Sequence, residues 1–227
     1  MIIGIVFMLI SLMVSGVLKR KFAKYSKLQL MNNLSGREIA ERMLADHGIT
    51  DVEVISVPGQ LTDHYNPMKK TVNLSEAVYN QRNAAAAAVA AHEVGHAVQH
   101  AKAYKPLQFR SKLVPIQNAS GMIMNVIVMA AMFGGYALYS VFPMDIVIWI
   151  IIAAQSMITL FTIVTLPVEF DASKRALAWI EGNGIVTASE YAGAKDALKW
   201  AAMTYVVAAL GAIANLLYWI MMLIGRD

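Results

Sequence analysis

Cysteine is absent from the 227 residues, which excludes disulfides, thiol nucleophiles and thiolate metal sites. Any metal would have to be held by histidine and carboxylate. Charge is also scarce, with 15% charged residues against about 25% in ordinary soluble domains. Apolar types reach 58%, and mean hydropathy is +0.52. This balance excludes a disordered chain, and it excludes a wholly soluble globule because the surplus apolar side chains must face lipid. No repeat or low-complexity tract is present apart from Ala84–Ala88.

The apolar residues are gathered into four uncharged runs, Ile2–Leu18, Ala119–Phe142, Ile146–Leu166 and Ala201–Ile224, of 17, 24, 21 and 24 residues. A helix of about 20 residues crosses a bilayer core roughly 30 Å thick. The first run has neither the basic start nor the small-residue cleavage site of a signal peptide. Its basic cluster (Lys19, Arg20, Lys21, Lys24, Lys27) comes after it, so a retained anchor is expected. Of the nineteen lysines and arginines, fourteen lie between Lys19 and Lys112 and four between Lys174 and Lys199. Two crossings separate these segments, which places them on one side. The positive-inside rule makes that side the cytoplasm, with both termini outside. The net charge of +4 therefore reads as membrane topology, and no nucleic-acid partner is expected. Asn125, Gln155 and Asn215 are polar groups within the runs and suit interhelical hydrogen bonds. No ionisable residue lies in any run, which speaks against a carrier, channel or proton pump.

Between the first two runs the pattern changes. Ser35 and Glu38 form a capping box, Leu34 can staple onto Ile39, and Ile39, Met43 and Leu44 give one apolar face before Gly48 stops the helix. Val52–Val57 has strand alternation, Pro58-Gly59 turns the chain, and Thr71–Leu74 reads as a second short strand. From Asn83, a suitable N-cap, to about Ala103 nearly every residue is a strong helix former.

That helix carries His92-Glu93-Val94-Gly95-His96. Histidines four apart lie on one helical face, about 6 Å apart along the axis, and can take adjacent corners of a tetrahedral zinc. Glu93 flanks that face, where a carboxylate reaches a water beside the metal without ligating it. A third ligand must come from elsewhere. His100 lies about 12 Å from His92 along the axis, too far to close the same tetrahedron. Lys102 stands ten residues after His92, against the metzincin layout. Glu169, in Leu166-Pro167-Val168-Glu169-Phe170-Asp171, returns to the same side after two crossings and is the first choice, with Asp171 as substitute. Pro167 suits a kink or helix restart there.

With these residues in view, the chain resembles the YugP-like neutral zinc metallopeptidases, a family of bacterial membrane proteins. The resemblance rests on Gly59-Gln60-Leu61-Thr62-Asp63-His64-Tyr65-Asn66-Pro67, Leu74-Ser75, Ala90 to Gln99, Leu113-Val114-Pro115, Leu166 to Ser173 and Ala202-Met203-Thr204-Tyr205. It covers essentially the whole chain. It implies a gluzincin-type peptidase with His92, His96 and Glu169 as ligands of one zinc and Glu93 as general base. By likeness to gluzincins, an extended substrate would add as a strand at a sheet edge, where Thr71–Leu74 is similarly placed. His64, Tyr65 and Arg175 are candidates to stabilise the oxyanion, with Tyr191 and Tyr205 as further possibilities. Two positions depart from the pattern. Ser173 stands where gluzincins commonly have an aspartate supporting a zinc histidine, which leaves that support unassigned. Asn66 replaces an aspartate.

The expected fold is mainly α and multi-pass, with about four transmembrane helices and a cytoplasmic zincin-like α+β portion containing a small sheet. Residues 1–18 form an anchor, 19–118 the cytoplasmic portion, 119–166 two spans, 167–200 a cytoplasmic helical segment bearing the third ligand, and 201–227 the last span and tail. The expected function is a membrane-embedded zinc endopeptidase acting on membrane-protein segments or unfolded polypeptide. The alternative is a non-catalytic metal-binding membrane protein that regulates a partner.

Overall fold

A computed structural model of the chain describes residues 2–141 and 143–225, with side chains for 3–133 and 143–225. Ten elements follow in order: α1 (Ile2–Tyr25), α2 (Gly36–Asp46), β1 (Glu53–Val57), β2 (His64–Asn66), β3 (Thr71–Ser75), α3 (Glu76–Tyr79), α4 (Ala84–Ala101), α5 (Lys105–Val141), α6 (Met144–Gly182) and α7 (Ala188–Ile224). Helices α1, α5, α6 and α7 are long and apolar enough to cross a membrane. The apolar runs are thus stretches within longer helices. The 39 residues of α6 are nearly twice the ~20 that cross a hydrocarbon core, so the helix runs on past its apolar stretch into a polar one. The run ending at Phe142 finishes outside the described residues.

Pro167 does not restart a helix. Helix α6 continues through it; the ring removes one backbone donor, while φ near −65° remains helical. By chain contacts the protein divides into two compact units. One comprises Met1–Ser11, Phe109–Leu166 and Tyr205–Asp227, the other Leu12–Gln108 and Pro167–Thr204. In the first, Gln155 Nε2 and Thr159 Oγ1 each donate to the Ala212 carbonyl at 3.2 Å, tying α6 to α7 with neutral groups.

The second unit holds a hydrophobic core in which Ile39, Met43, Val72, Leu74, Val78, Val94, Val98 and Ile180 are fully buried. Helix α2 enters it through the capping box expected from Ser35 and Glu38, and Gly48 leaves it at φ +68°, a conformation that favours glycine. The sheet is three-stranded in the order β1-β3-β2. Strand β1 pairs parallel with β3, Glu53 opposite Thr71, and β2 pairs antiparallel with β3, His64 opposite Asn73. This corrects one expectation: Thr71–Leu74 is the central strand, paired on both sides and buried along its length, so it presents no edge. The three-residue β2, too short to alternate visibly, occupies the outer position that β3 was expected to have.

Candidate metal centre

Helix α4 begins at Asn83, whose side-chain oxygen accepts the Ala86 N–H at 2.9 Å. Ala84–Ala88 are fully buried. Their small side chains let the surrounding elements close on the helix, so the alanine run serves packing as well as propensity. Farther along, the His92 and His96 rings stand on one face with centroids 4.8 Å apart and planes at 84°. Helix α6 meets this stretch through Val168, Ala172 and Ala176, spaced by four and fully buried. Gly95 makes the approach possible: a Cβ there would lie 2.7 Å from the Ala172 carbonyl oxygen, well inside van der Waals contact.

The close approach delivers Glu169. Its Oε2 lies 3.3 Å from His92 Nε2 and 3.6 Å from His96 Nε2, and one ligand atom from each residue falls within 4.8 Å of the other two. These separations exceed the ~2.7–2.9 Å of a good charge-assisted hydrogen bond. They match the edge of about 3.4 Å that follows from tetrahedral zinc with bonds near 2.0–2.1 Å. Glu169 Oε2 is also buried with no hydrogen-bond partner, a costly state for a carboxylate unless a cation answers it. Two imidazoles and a carboxylate are a usual donor set for catalytic zinc. The residues therefore fit the metal.

Around the ligands lies a second set of contacts. Ser173 Oγ is 3.1 Å from His92 Nδ1, and Gln99 Oε1 is 3.0 Å from His96 Nδ1. Gln99 is fully buried and donates through Nε2 to the Val168 carbonyl and to Asp171 Oδ2, both at 2.8 Å. Asp171 is held in turn by Arg175 Nε at 2.6 Å. Glu93 is buried one residue past His92. Burial opposes charging of His96, but the carboxylates of Glu169 and Glu93 and the Gln99 contact outweigh it and raise the His96 pKa.

The structure thus brings together His92, His96 and Glu169, with Glu93 beside them. Asp171 joins through Gln99 and not as a ligand. The other candidates have contacts elsewhere. The Tyr65 hydroxyl meets His100 Nδ1 at 2.8 Å, and burial raises its pKa. His64 is exposed, with Nδ1 near the Thr62 carbonyl. Arg175 pairs with Asp171 and lies over the Tyr104 ring. Tyr191 packs at the edge of the core under Lys195, and Tyr205 is partly exposed on α7. The supports of the two histidines, left unassigned by the sequence, are Ser173 and Gln99. A usable signal was present for the second: a glutamine three residues beyond His96 lies on the same helical side.

A His-His-Glu set on two helices, with His96 and Glu169 buried and His92 half-buried, in a chain with four helices apolar enough to span a membrane defines a candidate zinc-hydrolase centre. Over residues 1–224 the chain matches the family described as "Putative neutral zinc metallopeptidase", and it belongs to that family. It is 40% identical over 210 residues to the protein described as "Putative membrane protease YugP" of Bacillus subtilis (strain 168), an alignment covering 92% of this chain and 90% of that relative. No solved structure matches the chain.

Proposed function

We propose that the protein is a membrane-embedded zinc endopeptidase in which His92, His96 and Glu169 hold one zinc per chain and Glu93 is the general base. The observation that carries this reading is the convergence of Glu169 Oε2 on both Nε2 atoms at 3.3 and 3.6 Å. Bound there, zinc supplies Lewis acidity toward a peptide carbonyl and toward water. Glu93 takes the proton from the attacking water and passes it to the leaving amine nitrogen, which needs a carboxylate close to the ligands but outside their set. The Tyr65 hydroxyl, with His64 as the substitute, donates to the tetrahedral oxyanion. His100 Nδ1–H donates to the phenol oxygen at 2.8 Å, which orients the ring and leaves its single O–H for the oxyanion.

An extended polypeptide is the substrate class. Helix α4 packs against β2 and β3. Since β3 is paired on both sides, the outer edge of β2 is the position beside the ligand helix where a peptide strand can add. The distribution of lysine and arginine puts this chemistry on the cytoplasmic side of a cell membrane, and substrates are membrane-protein segments or unfolded chains reaching that face.

The test is purification of the wild-type protein and Glu93→Gln in detergent, with zinc content and casein cleavage measured on both. Zinc retained by both forms and cleavage lost in the variant support the enzyme. Equal cleavage by both refutes the assigned base. Zinc in both with cleavage by neither favours a non-catalytic metal-binding protein that regulates a partner.

A further inference from the structure

Gln99 is fully buried and makes three contacts, none with substrate space. Their chemistry settles which way the amide points. The nitrogen end faces two acceptors, the Val168 carbonyl and the Asp171 carboxylate, each at 2.8 Å. An amide nitrogen has two N–H groups and satisfies both, whereas the oxygen in that place would stand against two oxygens. Oε1 is therefore the atom turned toward His96 Nδ1 at 3.0 Å. An amide oxygen only accepts, so Nδ1 must carry hydrogen. The other ring nitrogen, Nε2, is the one that faces Glu169, and it is left to present a lone pair there.

We infer that Gln99 is a positioning residue that fixes the tautomer of His96, with Asp171 and Arg175 holding it in orientation. The inference rests on the metal-site reading above and deepens it. The carboxylate that directly supports a ligand histidine in many zinc sites here acts through an interposed amide. Asp171 carries the negative charge, Arg175 fixes that carboxylate at 2.6 Å from one turn further along α6, and Gln99 converts its orientation into a single acceptor aimed at Nδ1. The relay also links the ligand helix to the helix bearing Glu169, because both Gln99 donors end on α6. Movement of α6 along α4 would loosen His96 and displace Glu169 together.

The two histidines are consequently unequal. His92 Nδ1 meets the Ser173 hydroxyl at 3.1 Å, and a hydroxyl rotates to donate or to accept. That contact orients the ring without choosing its tautomer. His96 is the fixed ligand, and His92 is the adaptable one.

The test uses the zinc-loaded full chain in detergent with ¹⁵N-labelled histidine. In the wild type, NMR is expected to show His96 bound through Nε2, with a slowly exchanging proton on Nδ1. Chelator competition then compares Gln99→Leu and Ser173→Ala with the wild type. Gln99→Leu is expected to weaken zinc by about 10–100-fold and to abolish the protected Nδ1 proton. Ser173→Ala is expected to weaken it less. Gln99→Glu, which sets a carboxylate against both the Val168 carbonyl and the Asp171 carboxylate, is expected to give no rescue. If Gln99→Leu does not fold, the wild-type spectrum still decides. Zinc on His96 Nδ1, or unchanged affinity in a folded Gln99→Leu, overturns the inference while leaving the metal site intact. A wild-type chain without zinc overturns both.

Discussion

The two halves of α6 use polar side chains in opposite ways. In the apolar half, up to Leu166, the buried polar groups are an amide and hydroxyls: Gln155 and Thr159 share the Ala212 carbonyl, and Asn215 reaches Gln155 at 3.4 Å. Beyond Pro167, seven residues hold Glu169, Asp171 and Ser173, each in contact with a ligand histidine or with the amide behind one, and Arg175, which holds Asp171. Neutral groups cost little to desolvate when they find a backbone partner, and they join helices with modest energy. Ionised groups cost several kcal/mol each unless paired; apart from Asp145, exposed in the first turn of α6, they lie beyond Pro167, where Glu169 and Asp171 meet partners. One helix therefore carries a cohesive half and a chemical half, divided where the uncharged run ends.

Substitutions in the two halves should separate these roles. The largest effect is expected from Glu169→Ala, which should abolish stoichiometric zinc and casein cleavage together, measured by metal analysis and protease assay. Next is Gly95→Ala. Its methyl must displace the Ala172 backbone from 2.7 Å, so about 1–3 kcal/mol of stability is expected to be lost, with weaker zinc binding in the same protein. Acidification follows. The pKa of His96 is raised above its usual value, and the metal competes with that proton. Zinc affinity should fall as pH drops through the raised value and recover above it, as followed by equilibrium dialysis from neutral to mildly acidic pH. The smallest effect belongs to the apolar half. Thr159→Val should cost about 1 kcal/mol or less in detergent unfolding, with zinc content unchanged. Zinc loss in Thr159→Val equal to that in Glu169→Ala would break the division.

Much of this arrangement was legible in the chain. The four apolar runs, the Ser35 and Asn83 caps and the His92/His96 pair each depend on residues near in sequence, where periodicity and capping chemistry act directly. Glu169 was reachable because topology restricted the search to segments on one side of the membrane. What was not legible depended on distant contacts. The order β1-β3-β2 is set by which strand the core buries on both faces, and three residues such as His64–Asn66 carry no alternation to read. The helix restart expected at Pro167 is absent: the local rule weighs a lost hydrogen bond, whereas α6 runs on through the ring and its next turns are held by the buried Val168, Ala172 and Ala176. Asp171, the substitute ligand, stands outside the ligand group; the Gln99 amide, invisible as a partner until α4 and α6 meet, connects it to His96.

The most direct measurement is anomalous diffraction at the zinc edge from crystals of the zinc-loaded wild-type protein. The expected result is one peak per chain, bonded to Nε2 of His92 and His96 at about 2.0–2.1 Å and to a Glu169 oxygen at about 2.0–2.2 Å. A zinc peak away from these three side chains, or none in a preparation that cleaves casein, would contradict the account.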